Sequence, residues 1–180
     1  MLHSIAQFDQ QITSFISSLF PHNAFFDFFF SFLSLQGLTI VIWILLFAFF
    51  TYRERFDNTH KEFIIAFLVS FLTTGFLVNI VIKNIVMRDR PWVANQIPDA
   101  LCPEDFSFPS GHASGAFAGA IIFAHFDPKR RWLYYGIASL ISLSRVYLHC
   151  HYFIDITIGA LIGFIIGWAT LRLLSHRKII

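Results

Sequence analysis

Five apolar stretches separated by polar connectors dominate the chain, at approximately 28–50, 63–82, 113–126, 132–148 and 153–174. About 20 apolar residues cross roughly 30 Å of hydrocarbon, fewer where flanking side chains snorkel. The third stretch is the shortest unless it begins near Ser110. With 56% hydrophobic and 13% charged residues, the chain is not composed like a soluble domain. Its 24 phenylalanines exceed what one globular core of 180 residues readily hides, whereas a bilayer accepts them as outer surface. The expected fold is an all-α integral membrane helical bundle with about five transmembrane helices.

Ahead of these stretches, Ile5, Phe8, Ile12, Phe15, Ile16 and Leu19 recur at helical spacing against Gln7, Asp9, Gln10 and Gln11. The pattern predicts an amphipathic N-terminal helix lying at the membrane interface and ended by Pro21. The first residues lack the basic start and small-residue cleavage site of a secretory signal, so the spans are expected to stay in the mature protein. No long repeat or second domain is apparent. A single domain over 1–180 is expected, with the interfacial helix at 1–22, the bundle at 28–174 and a cytoplasmic tail at 175–180. Gly115 and Gly119, and then Gly159, Gly163 and Gly167, form small-xxx-small patterns that read as helix packing surface and not as a nucleotide fingerprint.

Charge orients the bundle. Of 13 Lys and Arg, nine fall on one side of a five-span arrangement: Arg53, Arg55, Lys61, Lys129, Arg130, Arg131, Arg172, Arg177 and Lys178. By the positive-inside rule that face is cytoplasmic, and the amino terminus is outside. The opposite face holds Lys83, Arg88, Arg90 and Arg145.

Three segments on this outer side carry ionisable groups, which near membrane spans are functional candidates by default. In Lys83-Asn-Ile-Val-Met-Arg-Asp-Arg90-Pro91, the Lys and Arg are seven apart. If the helix continues to Pro91 they share a face, roughly 10 Å apart along the axis, and both reach one anion. Arg88 lies well off that face and reads as a solvated or headgroup-facing charge. In Pro109-Ser110-Gly111-His112 a helix must begin after the proline. Its free N–H groups favour an oxyanion, glycine admits a phosphate to the backbone, and His112 adds a proton donor. In the third segment, Ser144 to Asp155, His151 and Asp155 are four apart, so the carboxylate can orient the imidazole. A turn near His149 and Cys150 would bring Arg145 alongside, its planar fork suited to two phosphate oxygens. His149 itself reads as a turn or interface residue.

Together the segments resemble the signature K-x6-R-P, P-S-G-H and S-R-x5-H-x3-D of the type 2 phosphatidic acid phosphatases, or lipid phosphate phosphatases, which share their site with vanadium-dependent haloperoxidases. Every motif position is filled between Lys83 and Asp155. The resemblance implies a phosphohistidine mechanism. His151 would be the nucleophile, held by Asp155, with His112 protonating the lipid leaving oxygen and later activating water. Lys83, Arg90, Ser110, Gly111 and Arg145 would hold the phosphoryl oxygens. No cofactor or metal is expected, since fixed cations supply the positive field, although Asp89 keeps magnesium in question.

The expected partners are the bilayer and a phosphorylated lipid, with no nucleic acid; the oligomeric state is left open. The expected location is a bacterial inner membrane, with the site facing the periplasm or exterior. Undecaprenyl diphosphate ranks slightly ahead of phosphatidylglycerol phosphate, phosphatidic acid and lipid A phosphates. A phosphotransferase or haloperoxidase using the same site, and a membrane transporter, are the competing readings. Cys102 and Cys150 both fall on the outer side, where a disulfide is permitted, but two free thiols are the expected state.

Overall fold

The computed structural model describes residues 2–34, 38–53, 59–95 and 102–177. Among them every regular element is helical: α1 (Leu2–Ser18), α2 (Ala24–Ser34), α3 (Leu38–Arg53), α4 (Thr59–Gly75), α5 (Lys83–Val86), α6 (Pro91–Ala94), α7 (Gly111–Phe126), α8 (Arg131–Tyr147) and α9 (Phe153–His176). A π-helical segment, Phe76–Ile82, carries α4 into α5 without a break, and a 3-10 turn, Pro128–Arg130, leads into α8. Arg55 and Lys178, used in the charge count, lie outside the described residues.

Local chemistry sets the helix ends. The Asn23 carboxamide accepts from the N–H groups of Phe25 and Phe26 and so opens α2. Ser110 caps α7, accepting from Ala113 N–H at 3.4 Å. Of the stretch expected as one span at 28–50, the described residues belong to α2 and α3, and 35–37 lie outside the described residues. The Ser34 carbonyl accepts from the Arg145 guanidinium at 3.2 Å, which ties α2 to α8. The helix through Lys83 does not continue to Pro91, because Met87 turns left-handed at φ 50° and ends α5.

Glycine governs the central packing. α7 and α9 pack most extensively, and a Cβ at Gly159 would come within 2.6 Å of the Ser110 carbonyl oxygen. At Gly163 it would overlap the Ser114 backbone. Away from this seam, Trp43, Phe63, Phe123, Tyr134 and Ile141 form the main core.

Much of the outer surface is apolar, with Phe28, Leu72, Ile80 and Trp132 each well over half exposed. The apolar segment Lys61–Ala94, helical without a break as far as Val86, and α9 are long and apolar enough to cross a membrane, and only 28% and 39% of their most apolar windows are buried. That is the reverse of a soluble core helix. α7 and α8, at 16 and 17 residues, fall short of the about 20 residues of a full span. In α1 the polar stripe Asp9, Thr13 and Ser17 is buried against the protein, while Ile5, Phe8, Phe15 and Leu19 face outward.

Candidate active site

Four pieces of chain meet at one end of the bundle: the end of α5 with the segment after it, the loop 102–110 leading into α7, the end of α8, and the turn 148–152 before α9. The turn folds as the sequence suggested. His149 is left-handed at φ 56°, and the N–H groups of Cys150 and His151 both return to the Arg145 carbonyl, at 2.9 and 3.1 Å. The two cysteines are not free. Cys102 and Cys150 form a disulfide with Cα atoms 5.4 Å apart, because this turn brings Cys150 against the loop; a separation of 48 residues gave no hint of that distance.

Lys83, Arg90, Gly111, His112 and His151 line one cavity of about 650 Å³. Its opposite wall is apolar and aromatic, built from Trp43 and Phe47 of α3 and Phe67 and Phe71 of α4. Asp155 and Ser110 sit behind this lining, fully buried, and the Ser110 N–H donates to the Asp155 carbonyl at 3.0 Å. Arg145, also fully buried, spends Nη1 on Ser34, while its Nε and Nη2 have no hydrogen-bond partner among the described residues. Burying guanidinium donors unsatisfied is costly, so these two are available to a ligand that can accept from them.

His151 lies between α8 and α9 and is 1% exposed. Arg90 Nη1 stands 3.1 Å from its Nε2. Arginine only donates, so Nε2 is the lone-pair nitrogen and the ring proton sits on Nδ1. Nδ1 faces the Asp155 carboxylate at 3.6 Å, a charge contact longer than a hydrogen bond. Burial pushes the His151 pKa well below 6.5, and Arg145, Arg90 and Lys83 push it the same way, so the ring is neutral.

Several participants had no sequence signal. Asp105 accepts from both Lys83 and Arg90, which also bonds the Asp105 carbonyl at 2.6 Å and the Cys150 carbonyl at 2.8 Å. Burial raises the Asp105 pKa, but the hydrogen bond and charge of Lys83, then those of Arg90, outweigh it and hold the carboxyl below 3.8. Arg88 is not a headgroup-facing charge: its fork grips Asp155 and Asp9, each at 2.6 Å. Ser107 donates to the same Asp155 carboxylate. The offset of Arg88 from the Lys83 face was legible, but not what it would meet. Among the described residues, no three His, Cys, Asp or Glu are grouped to hold a metal ion.

Residues 63–179, which contain all the motif side chains above, match the PAP2 superfamily. The chain belongs to the PAP2 superfamily. This PAP2 chain is 31% identical to the lipid A 4′-phosphatase of Bacteroides thetaiotaomicron over 182 residues, covering 93% of the chain and 77% of that protein. It is 29% identical to the undecaprenyl-diphosphatase BcrC of Bacillus subtilis over 119 residues, 65% of the chain and 61% of that protein. LpxE of Aquifex aeolicus superposes with a TM-score of 0.68 at 25% identity, covering 91% of this chain and 94% of that one. A transmembrane PAP2-type phosphatidylglycerolphosphate phosphatase of Bacillus subtilis gives 0.69 at 19% identity over 96% and 87%, a likeness of fold alone. The PAP2 chain is a membrane phosphatase of the hydrolase class.

Proposed function

We propose that the chain removes a phosphate from a membrane lipid through a phosphohistidine, at a site on the extracytoplasmic face of about five membrane spans. The supporting observation is the shape of the cavity. Cations and two histidines crowd one end, and aromatic side chains wall the other, so a phosphate and its alkyl chain find matched surroundings. The nine-to-four division of Lys and Arg supports the side, as does a disulfide at the site end.

In the first step the Nε2 lone pair of His151 attacks phosphorus. The P–N bond forms as the P–O bond to the lipid breaks, and the leaving oxygen takes a proton from His112. Asp155 stabilises the charge that develops on the ring by facing Nδ1–H. Lys83, Arg90, the free donors of Arg145 and the N-terminus of α7 at Ser110 and Gly111 hold the three phosphoryl oxygens, with Asp105 giving up its two cations as the phosphate arrives. Water then attacks phosphorus while His112 takes its proton. The P–N bond breaks, giving inorganic phosphate and restoring His151. The fixed cations stabilise charge that a metal would otherwise meet, so the reaction is metal-independent on this reading.

Apart from the phosphate-facing residues, the cavity lining offers few polar groups, Asn79 among them, to recognise a sugar. That favours an apolar lipid diphosphate such as undecaprenyl diphosphate. A second reading, a lipid A phosphate, is supported by the relative that covers most of both chains. Phosphate release in detergent from both lipids, phosphatidylglycerol phosphate and phosphatidic acid, with and without chelator, tests the proposal. His151→Ala is expected to be inactive and vanadate to inhibit. Turnover by His151→Ala would remove the nucleophile, and loss of activity with chelator would remove the metal-free mechanism.

A further inference from the structure

We propose that Arg88 is a positioning residue and that, through it, helix α1 is a working part of the active site. The proposal rests on the role given to His151 above. Arg88 does not line the cavity, and both its terminal nitrogens are already committed to carboxylates. Its two terminal nitrogens instead join carboxylates 79 and 67 residues away, Nη2 to Asp9 on α1 and Nη1 to Asp155 on α9. The guanidinium lies 3.9 Å over the Tyr152 ring, which fixes its plane. Both carboxylates are essentially inaccessible, at 1% and 0% exposure.

α1 also caps α9 from outside. Asp9 Oδ1 accepts from the Ile154 N–H and Thr13 Oγ from the Phe153 N–H, each at 2.9 Å, so two first-turn donors of α9 are satisfied by another helix. The other Asp155 oxygen takes Ser107 and the Tyr152 N–H. The carboxylate that faces His151 Nδ1 is thereby held from three directions, and its orientation passes through one guanidinium to α1. A lysine lacks the planar fork that lies over Tyr152 while its two ends meet separate carboxylates.

The test uses the full chain in detergent, with Arg88→Ala, Arg88→Lys, Asp9→Asn and the Arg88→Ala/Asp9→Asn pair, on whichever lipid the wild type turns over. Misplacing a catalytic ring lowers turnover, so Arg88→Ala is expected to lose about 100-fold in kcat with KM and vanadate affinity unchanged. Arg88→Lys should recover part of the loss, and the double variant should lose less than the product of the single effects. Thermal unfolding is read in parallel, and the isosteric Asp9→Asn carries the test if Arg88→Ala does not fold. A second readout needs no turnover. In ¹⁵N-histidine spectra, with His151 assigned by its loss in His151→Ala, the wild type should give the Nδ1-protonated tautomer and the Arg88 and Asp9 variants a mixture. If no lipid is turned over, the spectra alone decide the clamp, so the two proposals fail separately. An unchanged kcat or tautomer, independent effects in the double variant, or a rise in KM and weakened vanadate binding at constant kcat would overturn it.

Discussion

Arg90 Nη1 stands 3.1 Å from Nε2 of His151, which sets a cation against the nitrogen proposed as the nucleophile. The same side chain reaches the Asp105 and Cys150 carbonyls, so its fork braces the turn that carries His151. Removing a donor aimed at developing charge typically costs 100- to 1,000-fold in kcat. Arg90→Ala is therefore expected to lose about that much in phosphate release, and Arg90→Lys to recover little, since an ammonium cannot make the forked contacts. Near-complete rescue by lysine would mean that charge alone matters at this position.

Asp105 holds the two cations that a phosphate must use. Asp105→Asn removes the competing charge and should tighten vanadate binding by about tenfold, the equivalent of about 1.4 kcal/mol. Titration calorimetry of the detergent-solubilised chain measures this. Weaker binding in the variant would instead assign Asp105 to arranging the cations.

The depressed pKa of His151 ties stability to acidity. Below pH 6.5 the unfolded chain takes up a proton that the folded site refuses, so the unfolded state binds more protons and folding stability falls with falling pH. The thermal midpoint should drop between about pH 7 and about pH 5, and His151→Ala should flatten part of that slope. His149, lowered by burial and by His22, adds to the slope in the same window. Asp105 adds its loss only in more acidic solution, because its pKa is held below 3.8. A slope identical in His151→Ala and wild type would show that the ring is not kept neutral.

The disulfide joins the Asp105 loop to the turn that holds His151. Opening a loop of 48 residues should cost about 2–4 kcal/mol of stability and lower turnover together, because both sides of the cavity lose their tie. Cys102→Ser with Cys150→Ser, compared with the oxidised wild type by thermal unfolding and phosphate release, measures both. Full activity at the lower midpoint would confine the bridge to a structural role.

Spacing foretold that Lys83, Arg90, Ser110, Gly111, His112, Arg145, His151 and Asp155 would gather at one end of the bundle, because they sit at helix ends where a few residues of sequence fix a direction. Even there, Lys83 and Arg90 converge for a different reason than helical phase, since the chain turns at Met87 and Asp105 draws both together. The amphipathic period of α1 was plain, but not that its polar stripe would be stitched to α9. Arg88, Asp105 and the cysteine pair went unread for one physical cause. Their partners lie 15 to 79 residues away across folded loops, where local periodicity holds no information.

The cavity has unlike ends, one charged and the other an aromatic wall built from α3 and α4. On the reaction proposed here, bond cleavage produces two molecules with opposite solubilities at the boundary between those ends. Inorganic phosphate is matched to the charged end and the freed lipid to the aromatic wall. Each product is left in the surroundings that suit the other least.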